Sequence, residues 1–166
     1  VGSEMCIRDS IQGAAFDVPG VLPTARGLSH WGEHALGWMG SAAVGAGVDK
    51  RRREGWIRVG AAAFLAHAAS VVLKRIVRRK RPDYPYVRVG VKTPSKLSFP
   101  SSHATSTTAF LVAASRLTGC KAPLLGVPVM MASRMVLGVH YPTDTAVGAA
   151  IGAATAEVVM KGMKHE

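Results

Sequence analysis

Between Ser133 and Asp144 the chain reads SRMVLGVHYPTD, and Arg134, His140 and Asp144 within it are side chains for which an apolar run has no packing use. Burying an unpaired guanidinium is costly, so Arg134 calls for an anionic partner. His140 and Asp144 lie four residues apart with Pro142 between them. Proline inside a helix removes a backbone hydrogen bond and clashes with the preceding turn, so the pattern predicts one helix ending near Val139 and another beginning near Thr143. Such a junction sets an imidazole beside a carboxylate that can fix its tautomer, which a histidine nucleophile or base requires. Taken alone, the stretch also suits a capped, solvated loop.

Two further clusters narrow the chemistry. Lys74 and Arg81 with Pro82 form K-x6-RP, and Phe99 to His103 reads FPSSH. Phosphoryl transfer spreads negative charge over three equatorial oxygens, so its catalysis is mostly positioning and electrostatic stabilisation. Lys74, Arg81 and Arg134 supply cations for that task, arginine as a bidentate fork and lysine as a point charge. Ser101, at the start of a helix, can cap it or donate its hydroxyl to phosphate, and the free backbone N–H groups of Ser102 and His103 point at the same place. Cations and imidazoles dominate the set; a carboxylate cluster of the kind that holds Mg²⁺ is missing from it.

The order K-x6-RP, PSxH, SR-x5-H-x3-D resembles the type 2 phosphatidic acid phosphatase superfamily, over about residues 28 to 160. The resemblance implies an all-α membrane helix bundle of about five helices, with the active site at one membrane face. It implies that His140 attacks phosphorus and becomes a phosphohistidine, that Asp144 holds the imidazole, and that His103 protonates the departing alkoxide and later takes a proton from water. It implies no metal and no cofactor. Ser102 departs from the pattern, because the commonest second motif has glycine there; a backbone N–H survives the change, but a Cβ now sits near the pocket. The stretches LSHWGEHALGW, AAFLAHAASVVLKRIVRRKRPD and TPSKLSFPSSHATSTTA look most like a branch of small actinobacterial membrane phosphatases acting on a phosphoribosyl polyprenyl lipid. Undecaprenyl pyrophosphate, phosphatidic acid or phosphatidylglycerol phosphate are alternative substrates for the same site. A haloperoxidase of this superfamily is expected as a longer soluble chain, and a catalytically dead lipid-phosphate binder would leave both histidines and Asp144 without a task.

Composition agrees with a membrane setting. The 166 residues suit one domain, and 48% of them are hydrophobic with only 6% aromatic, so small residues dominate the apolar segments and allow close helix approach. Mean hydropathy is only +0.19, which leaves the membrane reading to individual segments. The net charge of +11, from 21 Lys and Arg against 10 Asp and Glu, points to anionic partners. The runs Lys50–Arg53 and Arg78–Arg81 would suit nucleic acid, but they abut apolar helices without interleaved aromatics, and lipid head groups account for the same charge. The expected partners are thus a polyprenyl or other lipid phosphate and membrane lipids, with no nucleic acid. Cys6 and Cys120 form no disulfide framework or metal-ligand spacing.

In chain order, residues 1–26 read as an irregular N-terminal segment, because Pro19, Gly20 and Pro23 interrupt any helical period. The stretch VGSEMCIRDS is read as partly artefactual and set aside. Residues 27–166 form the phosphatase-like membrane domain. Apolar segments are expected at Leu28–Val48, Gly55–Val77, Pro100–Leu117, Lys121–Val139 and Thr143–Met163, with Asp83–Leu97 as a loop. Five spans put all three clusters on one face. Glu33 and His34 could line the mouth of the site, although a helix-start carboxylate facing the macrodipole is the plainer reading; His67 is read as a packing residue, while Gly148 and Gly152 form a helix-packing GxxxG. Tyr84, Tyr86, Arg88 and Lys92 are candidates to cover a head group. The positive-inside rule cannot place both ends of the second span in the cytoplasm. With Arg51–Arg53 taken as the topology signal, the protein is expected in the cytoplasmic membrane with its site facing outside.

Overall fold

A computed structural model describes residues 2–161. Among them the regular structure is helical: α1 (Gly2–Ala15), α2 (Val21–Trp31), α3 (Leu36–Val48), α4 (Arg53–Val77), α5 (Ser102–Thr118), α6 (Gly126–Val136) and α7 (Pro142–Met160). Short 3₁₀ turns precede α3, α4 and α6. Residue 163, expected at the end of the last segment, lies outside the described residues.

The expected irregular segment over 1–26 is instead two helices, and α2 runs across the boundary placed at 26. Gly20, at φ +85°, starts α2, and Pro23 falls in its first turn, where a missing N–H breaks no intrahelical bond. The first apolar segment is also two elements. Gly32 to Ala35 interrupts it, with His34 at φ 51° and Ala35 at φ 59° in the left-handed region. Nothing in the hydropathy of LSHWGEHALGW marks this break, because the break is made by backbone conformation and not by a polar run. The other elements sit close to their expected positions, although α6 ends at Val136, three residues early, where Gly138 takes φ +70°.

The centre of the bundle is α5, which packs against α4 and α7. Its inner residues are small: Ala104, Thr105, Ser106, Thr107, Thr108, Ala109, Ala113 and Ala114 are buried. The Thr105 and Ser106 hydroxyls donate to the carbonyls of Ser101 and Ser102, which satisfies them inside an apolar layer. Around α5, Val59, Ala62, Ala63 and Ala66 of α4 join Phe110, Leu111 and Ala156 in the main core. The GxxxG pair lies here. A Cβ on Gly148 would fall 2.8 Å from the Ser101 carbonyl, and one on Gly152 would collide with the Thr105 carbonyl. The pair therefore sets the spacing of α7 on α5 within one chain.

Among the described residues one helical stretch, Lys50–Val77, is long and apolar enough to cross a membrane by length and composition, with mean hydropathy 1.6 over an 18-residue window. At 1.5 Å per residue α4 alone is about 37 Å long, more than a hydrocarbon core of about 30 Å. Phe64, Leu65, Val72 and Ile76 are exposed along it, as a lipid-facing surface would be. The chain is an all-α, membrane-associated bundle.

Because the Thr105 carbonyl is rigid helix backbone, Gly152→Ala should destabilise the protein by about 1–3 kcal/mol. Gly40→Ala in α3, where an added Cβ meets nothing within 4 Å, should be neutral or slightly stabilising. Thermal unfolding in detergent measures both, and equal midpoints would refute the close-approach argument.

Candidate active site

The three sequence clusters meet in a single cavity of about 280 Å³. Lys74 comes from the last turn of α4, Ser102 and His103 from the first turn of α5, Arg134 from the last turn of α6, and His140 from the α6–α7 junction. Arg81 reaches it from the loop after α4. Helix ends of alternating direction thus deliver all of them to one end of the bundle. A backbone bond ties two clusters together directly, because the Ser101 N–H donates to the Asp144 carbonyl at 2.9 Å.

His140 is 1% exposed. Its Nε2 lies 3.1 Å from an Arg81 guanidinium nitrogen. A guanidinium has donors only, so Nε2 accepts and its lone pair is free of a proton. The proton therefore sits on Nδ1, which faces Asp144 Oδ2 at 3.5 Å, longer than a formed hydrogen bond. The pairing expected from the i, i+4 spacing is present, but in a loose form. Burial, then the charges of Arg81 and Arg134, hold the His140 pKa well below 6.5, so the ring is neutral.

Asp144 is fully buried. Its Oδ2 accepts the Tyr141 N–H at 2.8 Å and its Oδ1 accepts from Arg79 at 3.1 Å. Arg79 also donates to the Thr143 hydroxyl and stacks over the Tyr141 ring. Within RRKR it looked like one more exposed charge, and only the turn after α4 shows that it holds the carboxylate from behind.

Arg81 donates to the Ser95 and Val139 carbonyls as well as facing His140. Its burial lowers its pKa to about 10, still charged at neutral pH. Lys74 is used differently from expectation: its ammonium donates to the carbonyls of Leu97, Ser98 and Pro100, so it anchors the loop that leads into α5. Ser101 is a helix cap, accepting from the Ala104 N–H, and does not line the cavity. The Ser102 side chain is accommodated against α4. The Ser70 hydroxyl lies 2.7 Å from the His67 carbonyl and 2.8 Å from Ser102 Oγ. With one proton on each hydroxyl, Ser70 donating to the carbonyl leaves Ser102 to donate to Ser70.

Arg134 is 1% exposed and meets no carboxylate among the described residues, so the anionic partner its burial calls for is not supplied by those residues. Among the described residues its hydrogen bond goes to the Ser29 hydroxyl at 2.8 Å, and its Nε has no partner. A guanidinium left short of an anion in a cation-lined cavity is a candidate to bind one. His103 Nε2 sits 2.9 Å from the Ser29 carbonyl; a carbonyl only accepts, so Nε2 carries a proton. Ser29 therefore orients both groups, and the small Gly32 lets the His103 ring approach, since a Cβ there would lie 2.8 Å from it. Neither residue stood out in the sequence, because a serine and a glycine inside an apolar helix carry no motif.

The loop from Asp83 to Leu97 contributes Val91, Lys92, Thr93, Pro94, Ser95 and Leu97 to the cavity wall. Arg88, Tyr84 and Tyr86 do not line it. Arg88 binds the Asp17 carboxylate and lies over Phe16, and the two tyrosines stack on each other. Glu33, His34 and His67 do line it. Among the described residues no group of three or more His, Cys, Asp or Glu side chains is placed to hold a metal ion.

Hydrogen bonds to charged groups contribute about 1.5–3 kcal/mol, so Ser29→Ala should weaken binding of inorganic phosphate about tenfold or more. Calorimetric titration of the detergent-solubilised protein checks this, and unchanged affinity would remove Ser29 from the anion site.

Known proteins carry the same framework. The profile of the PAP2 superfamily matches residues 55–166. A decaprenylphosphoryl-5-phosphoribose phosphatase of Mycobacterium tuberculosis (strain ATCC 25618 / H37Rv) is 53% identical over 156 residues, 94% of this chain and 88% of the relative. One of Mycolicibacterium smegmatis is 58% identical over 139 residues, 84% of this chain and 77% of the relative. The crystal structure of a transmembrane PAP2-type phosphatidylglycerolphosphate phosphatase from Bacillus subtilis superposes with a TM-score of 0.70 at 21% identity, covering 96% of this chain and 85% of that one. With residues 55–166 matched by the profile and the first-named relative more than half identical over nearly the whole length, the chain belongs to the PAP2 superfamily.

Proposed function

We propose that the protein is an integral membrane phosphatase that removes the terminal phosphomonoester from a polyprenyl-linked phosphoribose, leaving the sugar on the lipid for cell-wall arabinan precursor synthesis. The observation that carries the reaction is the unprotonated His140 Nε2 at a cavity where Arg134 has no carboxylate partner among the described residues. The substrate class follows the names of the two relatives above.

In the first step Nε2 attacks phosphorus in line with the ester oxygen. The N–P bond forms as the P–O bond breaks, and His103, protonated on both ring nitrogens once the phosphate dianion is bound, gives its Nδ1 proton to the departing alkoxide. Arg81 and Arg134 neutralise the equatorial oxygens, and the N–H groups of Ser102 and His103 at the start of α5 add to them. Asp144 balances the positive charge that grows on His140. In the second step water attacks the phosphohistidine, His103 accepts its proton, and phosphate leaves. Ser29 holds the Nε2–H of His103, so Nδ1 is the atom left for proton exchange.

We further propose that the cavity faces the outer side of the cytoplasmic membrane, a reading supported by charge distribution. Lys50–Arg52 and the cavity lie at opposite ends of α4, and Arg51–Arg53 have no catalytic task, which makes them the cytoplasmic signal.

His140→Ala should abolish turnover with the fold intact by circular dichroism. His103→Ala should lose about 10²–10⁴-fold, and an aryl phosphate, whose leaving group needs no protonation, should recover part of it. Near-native turnover in His140→Ala excludes this mechanism.

The lowered His140 pKa sets a pH dependence. A depressed value keeps the ring unprotonated as pH falls through 6.5, so the acid limb of kcat/KM, after correction for the substrate's own second ionisation, should lie well below 6.5. A limb at 6.5 or above contradicts a buried, neutral nucleophile.

For the topology, Arg52→Cys and Val89→Cys are made with Cys6 and Cys120 replaced by serine. A membrane-impermeant maleimide should label position 89 and not 52 in intact cells; the opposite pattern reverses the orientation.

A further inference from the structure

We propose that Glu33, His34 and His67 form a subsite for the hydroxyl groups of a sugar attached to the reacting phosphate. The proposal rests on the reading that this cavity binds a phosphomonoester, and it names residues that select what that monoester is attached to. The chemistry at phosphorus gives these three side chains no task.

The backbone is bent to put two of them there. His34 and Ala35 are consecutive non-glycine residues at positive φ, a conformation that costs roughly 1–2 kcal/mol each for side chains of this kind. Strain of this sort persists where surrounding packing holds it, and Ala35 is fully buried between α2 and α3. Without the break, α2 would run on into α3. With it, Glu33 and His34 turn onto the cavity wall opposite α4, where the His34 ring meets His67 edge to face at 5.8 Å. Buried His67 Nδ1 has no partner among the described residues.

The wall has the right chemistry for hydroxyls. Among the cavity-lining residues Glu33 is the single carboxylate, against Lys74, Arg75, Arg81, Lys92 and Arg134. A second phosphate would be repelled by it, whereas a sugar hydroxyl donates to it. A neutral imidazole offers one donor and one acceptor, so two adjacent imidazoles and a carboxylate match vicinal hydroxyls that each donate and accept.

The placement also fits. His67, Ser70 and Lys74 lie on one face of α4 at spacings of three and four, so His67 stands about 10 Å along the helix from Lys74. Ser70, between them, touches Ser102 at the phosphate end. On the other wall Gly32 contacts the His103 ring immediately before Glu33. The subsite is thus one sugar ring away from the reactive groups on both walls.

The experiment compares kcat/KM for ribose 5-phosphate with that for n-pentyl phosphate, which carries the same number of carbons without hydroxyls. It uses the full chain in detergent, as wild type and as Glu33→Gln, His34→Phe and His67→Phe. The readout is the ratio of the two values, from which the fraction of folded enzyme cancels. Wild type should favour ribose 5-phosphate, and each variant should reduce the ratio about tenfold, the usual effect of leaving polar substrate groups unpaired. No preference in wild type, or an unchanged ratio in His34→Phe and His67→Phe, overturns the subsite and leaves the kink as a plain interhelix turn. Failure of the lipid reading looks different: the ribose preference would hold, while the phosphoribosyl polyprenyl lipid would be a poorer substrate than phosphatidic acid.

Discussion

The arrangement depends on keeping positive charge out of water without neutralising it. Arg134 is almost completely buried, Lys74 nearly so, and Arg81 is largely enclosed, yet none of them has a carboxylate within salt-bridge distance among the described residues. Desolvation of such groups is costly. The fold offsets that cost with dipoles in place of charges: carbonyls of Leu97, Ser98 and Pro100 for Lys74, those of Ser95 and Val139 for Arg81, and a hydroxyl for Arg134. Dipoles hold a cation in place and leave its charge uncancelled. An anion bound there, as proposed, would meet a preorganised field and need little reorganisation.

That constraint explains the small-residue interior. Cations and imidazoles from the ends of α4, α5 and α6 and from the α6–α7 junction converge only if the helices approach closely, and α5 and α7 do so through Gly148 and Gly152 against the Ser101–Thr105 turn. The same turn carries the cap of α5 and the N–H that binds the Asp144 carbonyl. Helix packing and site assembly are in this way one contact. Asp144, behind the cavity, is shared by Arg79, Tyr141 N–H and His140, so it sits beside the imidazole without draining charge from the cavity.

Much of the site was legible before any coordinates, and the reason is local. A buried Arg, His or Lys beside an apolar run is expensive, so such residues stand out by type; their spacing at helix ends follows from the 3.6-residue period and the proline stops. Arg134, His140, Asp144, His103, Arg81 and Lys74 were all found in this way, and all but Asp144, which supports His140 from behind, line one cavity. What failed to show were residues whose role depends on where another element passes. Ser29 and Gly32 matter because α5 lays His103 against them. Arg79 matters because the turn after α4 swings it under Asp144. Arg88 went the other way: an attractive cation in sequence, it is bound to Asp17 away from the cavity.

By itself, then, the sequence determined the helical class, the positions of most helices, the cationic chemistry and the family, because each follows from residue type and short-range spacing. The tertiary structure decided which cations stay free and which anchor loops, that Ser101 caps α5 without lining the cavity, and that the first apolar segment breaks at Gly32–Ala35 to bring Glu33 and His34 to the wall. Those outcomes turn on contacts between residues far apart in the chain and on left-handed backbone at His34 and Ala35. Neither leaves a periodic trace, since a buried side chain's partner is set by which helices touch and not by its neighbours in sequence.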